Sequence, residues 1–177
     1  MEIKIWDIIS RQTVFQKYGR KVDEIIFKLP NGKEADFYIK NEADTVCILA
    51  LTEDKRVILV QQFRPGPLEV LLELPGGDIE EGEALEEAGA RELLEETGYA
   101  AGKTELVVKA LDCAYSTRWR YCLVATGCKK VAEPQNTDTE IVSVELMSLN
   151  DFREHLRSGK LTDIEVGYLG LDYLGLL

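Results

Sequence analysis

One histidine and four cysteines are all the imidazole and thiol that the 177-residue chain offers to a zinc site. Cys47, Cys113, Cys122 and Cys128 form no CxxC pair, so neither a zinc site nor a disulfide framework is read from them, and reduced, partly buried thiols are expected. Positive charge is also scarce. Lys and Arg number 21 against 32 Asp and Glu, and the net charge of -11 argues against general affinity for a nucleic-acid backbone or an anionic membrane. No stretch approaches a membrane span. The opening MEIKIWDIISR scatters its charges and has no continuous apolar core, so neither signal peptide nor anchor is expected and a cytoplasmic setting is the simplest fit. Internal repeats, low-complexity tracts and obvious interdomain linkers are missing too. The length suits one domain with a sizeable core and a small appended lobe, which leaves no room for a second catalytic domain.

What the chain does have is an acidic stretch from Gly77 to Tyr99, GDIEEGEALEEAGARELLEETGY. On a helix, Glu92, Glu95 and Glu96 are related by three and four positions, so their carboxylates fall within roughly a 100° arc. Ala90, Leu93 and Leu94 point to the opposite arc, giving the helix an apolar face to bury. Adjacent carboxylates repel unless something positive neutralises them, and hard oxygen ligands on a rigid helix suit Mg²⁺ or Mn²⁺. Gly82 precedes the helix and Gly98 fits its stop, while Gly89 is a local defect worth about 1 kcal/mol in an exposed interior position.

Before this stretch, residues 1–42 read as a β-rich prelude. In VDEIIFKLPNGKEADFYI two β-prone runs flank Pro30-Asn31-Gly32, and Asn-Gly predicts a hairpin. Thr45–Leu51 and Arg56–Phe63 are near-continuous apolar runs expected as central strands. After it, Glu105–Leu111 and Arg120–Thr126 read as strands around the polar loop Asp112–Trp119, and Glu140–Met147 as a half-buried strand. Two helices follow, Asn150–Arg157 with Ser148 or Asn150 as N-cap, and Asp163–Leu177.

Gly77, five residues, Glu83, seven residues, then Arg91-Glu92-Leu93-x-Glu95-Glu96-x-Gly98-Tyr99 resembles the Nudix box at each of its fixed positions. Gln61-Gln62-Phe63-Arg64-Pro65-Gly66, the Leu-Glu-Leu-Pro-Gly-Gly approach to the box, the prelude and the ending SGKLTDIEVGYLGLDYL are similar to the ADP-ribose (ADP-sugar) pyrophosphatase subgroup. The resemblance implies a Nudix α/β/α sandwich with a mixed sheet over residues 43–177. It also implies a small N-terminal subdomain over residues 1–42 that helps form a homodimer and its substrate site.

The implied chemistry is metal-dependent hydrolysis of a nucleoside diphosphate linked to X. Divalent metals neutralise the pyrophosphate and lower the pKa of bound water, and a carboxylate takes the proton. By resemblance, Glu92 and Glu96 are metal ligands, Glu95 a ligand or base, and the Gly76 carbonyl a further ligand. Arg91 is suited to holding neighbouring carboxylates through paired hydrogen bonds rather than to binding metal. Glu83 is either a supporting partner or a helix N-terminal charge. Some members of the subgroup take their base from a late acidic loop, where Asp138 and Glu140 match; Glu140 could equally be a strand-edge residue.

The resemblance gives Arg64 to the substrate's phosphate side, with a surface ion pair as the plainer alternative. Trp6 could stack on a base or pack against its own domain. In the loop after the box a proline usual in the subgroup is missing, and Tyr115 is similar to a tyrosine of Nudix enzymes acting on dinucleoside polyphosphates. Arg118, Trp119 and Arg120 could recognise phosphate and base, although Trp119 could instead be core. A non-catalytic nucleotide sensor has little need of the intact glutamates, and an RNA-directed hydrolase is disfavoured by the acidic charge. A small-molecule nucleotide is the expected partner.

Overall fold

The computed structural model describes residues 3–138 and 141–177, which divide into two compact units. The first comprises Met1–Asp44 with Leu111–Trp119. Its antiparallel sheet runs β1 (Asp7–Lys17), β2 (Arg20–Lys28), β3 (Glu34–Lys40). Tyr18 and Gly19 both take positive φ, 50° and 75°, as a two-residue hairpin requires when its twist is to match the flanking strands. The expected Asn-Gly hairpin is present: Gly32 has φ 81° and the Leu29 amide donates to the Lys33 carbonyl at 2.7 Å. Asp23 is buried and accepts from Arg11, Thr13 and Asn41 at 2.7 to 2.8 Å, so its charge is matched.

The loop after β9 (Lys103–Leu111) is knitted into this unit. The Lys40 amide donates to the Tyr115 carbonyl and the Thr117 amide to the Lys40 carbonyl, both at 2.9 Å. Composition gave no sign that this segment and the prelude would form one body.

The second unit, Thr45–Ala110 with Arg120–Leu177, is built on a mixed sheet of eight strands among the described residues. Its spine is β11 (Val142–Met147), β5 (Val57–Arg64), β4 (Thr45–Thr52), β10 (Trp119–Lys130) and β8 (Tyr99–Ala100), with β9 alongside β10. β4 and β10 are parallel. β4 and β5 share only the pairs Ala50↔Ile58 and Leu51↔Val57. Beyond these, β6 (Glu69–Glu73) takes the edge of β5 and β7 (Gly76–Asp78) that of β4.

Alternation along β4 sets the layers. Cys47, Leu49 and Leu51 pack in one buried cluster with Phe152 and Leu156 of α2 (Leu149–Ser158) and Val166 and Leu171 of α3 (Ile164–Tyr173). Val46, Ile48 and Ala50 pack in the other with Ala88 and Leu93 of α1 (Leu85–Thr97). Helices on both faces of a mixed sheet make an α/β/α sandwich.

The buried stripe of α1 differs from the expected Ala90, Leu93 and Leu94: Leu93 is buried, but Ala88 and Gly89 replace the other two. A Cβ at Gly89 would lie 3.3 Å from Leu123 Cδ2 and 3.4 Å from Ile48 Cδ1, so this glycine is a contact surface and not an exposed defect. Gly98 ends the helix at φ 69°. Ser148 caps α2, accepting from the Asp151 amide, and α3 stops at Tyr173, short of the expected Leu177. Among the described residues no helix is long and apolar enough to cross a membrane.

Candidate active site

The turn from β7 into α1 is organised by one guanidinium. Arg91 donates through Nε and Nη2 to the two oxygens of Glu83 at 2.8 and 3.0 Å, and through Nη2 to the Asp78 carbonyl at 3.1 Å. Its Nη1 reaches Glu92 Oε1 at 2.8 Å and Glu95 Oε2 at 3.4 Å. The loop and the acidic helix are thus held by a fork of donors whose planar geometry matches carboxylates. Hydrogen bonding to Arg91 holds the Glu83 carboxyl below its usual range, and the pairing with Glu83 pushes Arg91 further up. Glu83 is therefore a supporting partner of the box.

Glu96 takes a different path. It is buried, and its Oε2 accepts from the Gly76 amide at 2.9 Å, which joins the far end of the helix to the first residue of β7. Glu92 lies against Gly77: a Cβ there would be 2.5 to 2.6 Å from the Glu92 carboxylate. A Cβ on Gly76 would fall on the Val46 carbonyl oxygen and within 2.8 Å of Cys47 Cα. Both glycines are needed for want of space, one beside β4 and one beside a carboxylate.

The expected open acidic wall is therefore graded. Glu95 is the most exposed of the three, its side chain 42% accessible against 13% for Glu92. Among the described residues no three His, Cys, Asp or Glu side chains converge as a ready metal cage. The donor set nonetheless fits a hard cation, since it is all oxygen and mounted on one helix and the adjoining glycines. Mg²⁺ usually takes one or two protein carboxylates and completes its shell with substrate phosphates.

The other expected site residues fall in two groups. Arg64 belongs to the second unit and ion-pairs with Glu73, whose side chain is fully enclosed; the partner is buried, unlike that of an ordinary surface pair. Trp6, Tyr115, Arg118 and Trp119 belong to the first unit. Trp6 packs on Phe27 and Phe37 with ring centroids 6.1 and 5.7 Å apart, and Tyr115 stacks on Phe37 at 6.4 Å. Arg118 donates to the Ala43 carbonyl at 2.6 Å and pairs with Glu42 at 3.1 Å, while the Trp119 amide donates to Asp44 at 2.8 Å. Asp138 is exposed, and Glu140 lies outside the described residues.

A half-buried polar network escaped sequence reasoning. Arg120 pairs with Asp163 at 3.1 Å and with Glu165, while the Cys47 thiol points at Asp163 Oδ2 across 3.6 Å. Burial, more than any neighbour, raises the Asp163 carboxyl and the Cys47 thiol above their usual values. The partners come from strands and helices far apart in sequence, so no local spacing announces them.

A mixed-sheet sandwich with an arginine-braced glutamate helix beside a short glycine strand defines a Nudix hydrolase, and residues 41–164 match the NUDIX domain: the chain belongs to the NUDIX family of pyrophosphohydrolases. It is 31% identical over 173 residues to the ADP-ribose pyrophosphatase of Bacillus subtilis (strain 168), covering 95% of this chain and 91% of that protein. It is 27% identical to the methanol dehydrogenase activator of Bacillus methanolicus, over 85% of this chain and 84% of that one. A solved structure described as that of an ADP compounds hydrolase superposes with a TM-score of 0.76 at 19% identity, over 100% of both chains, which shows the shared fold.

Proposed function

We propose that the chain hydrolyses the pyrophosphate bond of ADP-ribose or a related ADP-sugar, releasing AMP and a sugar phosphate. The observation that carries this is one helix on which Arg91 holds Glu92 and Glu95 while the Gly76 amide of β7 holds Glu96. The substrate class follows the near full-length likeness to an ADP-ribose pyrophosphatase. Glu92 and Glu96, with Glu95 and the Gly76 carbonyl, would hold Mg²⁺ or Mn²⁺. A bound divalent cation supplies charge neutralisation at the phosphates and lowers the pKa of water. Arg91 keeps Glu92 and Glu95 from turning away from the helix face. Glu95, the most accessible of the three, is placed to take a proton, with Asp138 and Glu140 as the other candidate bases. Arg64 is the contact to the substrate phosphates in this reading.

The N-terminal unit carries a homodimer contact in the same reading. β1 is exposed along its whole length, pairs among the described residues only with β2, and presents Ile8, Ile9, Val14 and Phe15 to solvent, which suits a second copy of the chain. A cytoplasmic setting suits the four free thiols. Incubation with ADP-ribose and Mg²⁺ is expected to yield AMP and ribose 5-phosphate. Cleavage of a dinucleoside polyphosphate while ADP-ribose stays intact would reassign the substrate; binding without turnover of either would make the chain a sensor. Sedimentation that finds only monomer removes the dimer.

A further inference from the structure

Glu73, the last residue of β6, has no accessible surface. A carboxylate taken out of water costs several kcal/mol unless charge and hydrogen bonds replace its hydration. The replacement comes from two directions: Arg64 Nε donates to Oε2, and the Thr162 hydroxyl donates to Oε1. The pair is lopsided, because Glu73 is enclosed while the Arg64 side chain is 38% exposed. Glu73 is enclosed, so it keeps Arg64 at its side while part of the Arg64 side chain stays at the surface. The mount is rigid. Arg64↔Glu69 and Val60↔Glu73 are rungs of one antiparallel ladder, and the chain leaves Glu73 through Leu74 and Pro75 into Gly76, whose amide holds Glu96.

We infer that Glu73 is a positioning residue, the buried anchor that orients Arg64 toward a diphosphate, with Thr162 tying the same carboxylate to the turn before α3. The assignment rests on Arg64 being the phosphate contact of the proposed function. It acts through Arg64, so the two should not behave independently.

The test is calorimetric titration of ADP in chelator-containing buffer, so that no hydrolysis enters, alongside steady-state kinetics and melting curves. Arg64→Ala and Glu73→Gln are each expected to weaken ADP binding about tenfold or more. The double variant is expected to bind no more weakly than Arg64→Ala alone, because coupled residues fail to add. For whichever nucleotide is cleaved, KM rises in Glu73→Gln while kcat stays within about twofold, as for an interaction made equally in ground and transition states. Wild-type ADP affinity in Glu73→Gln, multiplicative losses in the double variant, or no ADP binding by the wild type would each overturn the inference. A melting temperature that falls with affinity unchanged reduces Glu73 to a structural role. Should Glu73→Gln not fold, Glu73→Asp keeps the charge but withdraws it from Arg64; weakened ADP binding supports the inference and wild-type affinity overturns it. ADP bound normally with ADP-ribose left uncleaved removes the substrate assignment and leaves the role of Glu73 standing.

Discussion

The Gly76 amide donates to the Glu96 carboxylate across 2.9 Å, joining β7 to the last turn of α1. A helix carboxylate and a strand peptide are thereby fixed to each other, and the neighbouring Gly77 lies against Glu92. The site depends on how closely backbone and carboxylates approach, as well as on which acids are present.

The two glycines should fail in different ways. In Gly77→Ala the new methyl meets the flexible end of Glu92, so the melting temperature is expected to hold while kcat drops by about 10–100-fold. In Gly76→Ala it meets the backbone of Val46 and Cys47, and stability is expected to fall by about 1–3 kcal/mol. Equal melting temperatures in the two variants would contradict this division.

Arg91→Lys keeps a positive charge but loses the fork that joins Glu83, Asp78, Glu92 and Glu95. Lysine is a point charge without bidentate geometry, so activity is expected to fall about 10–100-fold, nearly as far as in Arg91→Ala. Recovery of wild-type turnover by lysine would show that charge alone is needed.

Asp163 gives a pH signature. Its folded pKa is raised above 3.8, chiefly by burial and against the pull of Arg120, with Glu165, Cys47 and Glu73 also acting on it. Its contribution to stability is fully present below the unfolded value and is lost as pH rises through the folded one, because in that window the native state binds more protons. The stability difference between wild type and Asp163→Asn, from urea unfolding, should therefore shift against the wild type as pH is raised from about 3 to 8. A difference that stays flat across the range argues that the group titrates normally.

The thiols should separate by burial. Cys113 is exposed, whereas Cys47, Cys122 and Cys128 are buried, and burial pushes Cys122 and Cys128 up to about 11. The thiolate is the reactive form, so at about pH 8 an alkylating reagent should label Cys113 in the native protein and the other three only after unfolding. Mass spectrometry of labelled peptides distinguishes the cases.

Local signals made much of this legible. The Asn-Gly hairpin, the Gly98 stop, the Ser148 cap and the central strands each depend on residues a few positions apart, and they appear within a residue or two of expectation. Glu73 was hidden because a charge inside LLELPGG reads as a break in an apolar run, while its partner Thr162 is 89 positions away. In sequence Glu96 reads as part of an open wall, since helical geometry fixes its arc but not the strand that covers it. Gly89 reads as a defect for the same reason: Ile48 and Leu123 reach it only in the folded sheet.

The division of the first unit between the N-terminus and Leu111–Trp119 also has a consequence in time. The Arg118 guanidinium closes on the Ala43 carbonyl across 75 positions of chain. At the usual 5–20 residues per second of synthesis, that separation delays the closing contact by roughly 4–15 s. Through that interval the β1–β3 sheet waits for the segment that completes it, with Lys40 of β3 lacking its backbone partners Tyr115 and Thr117.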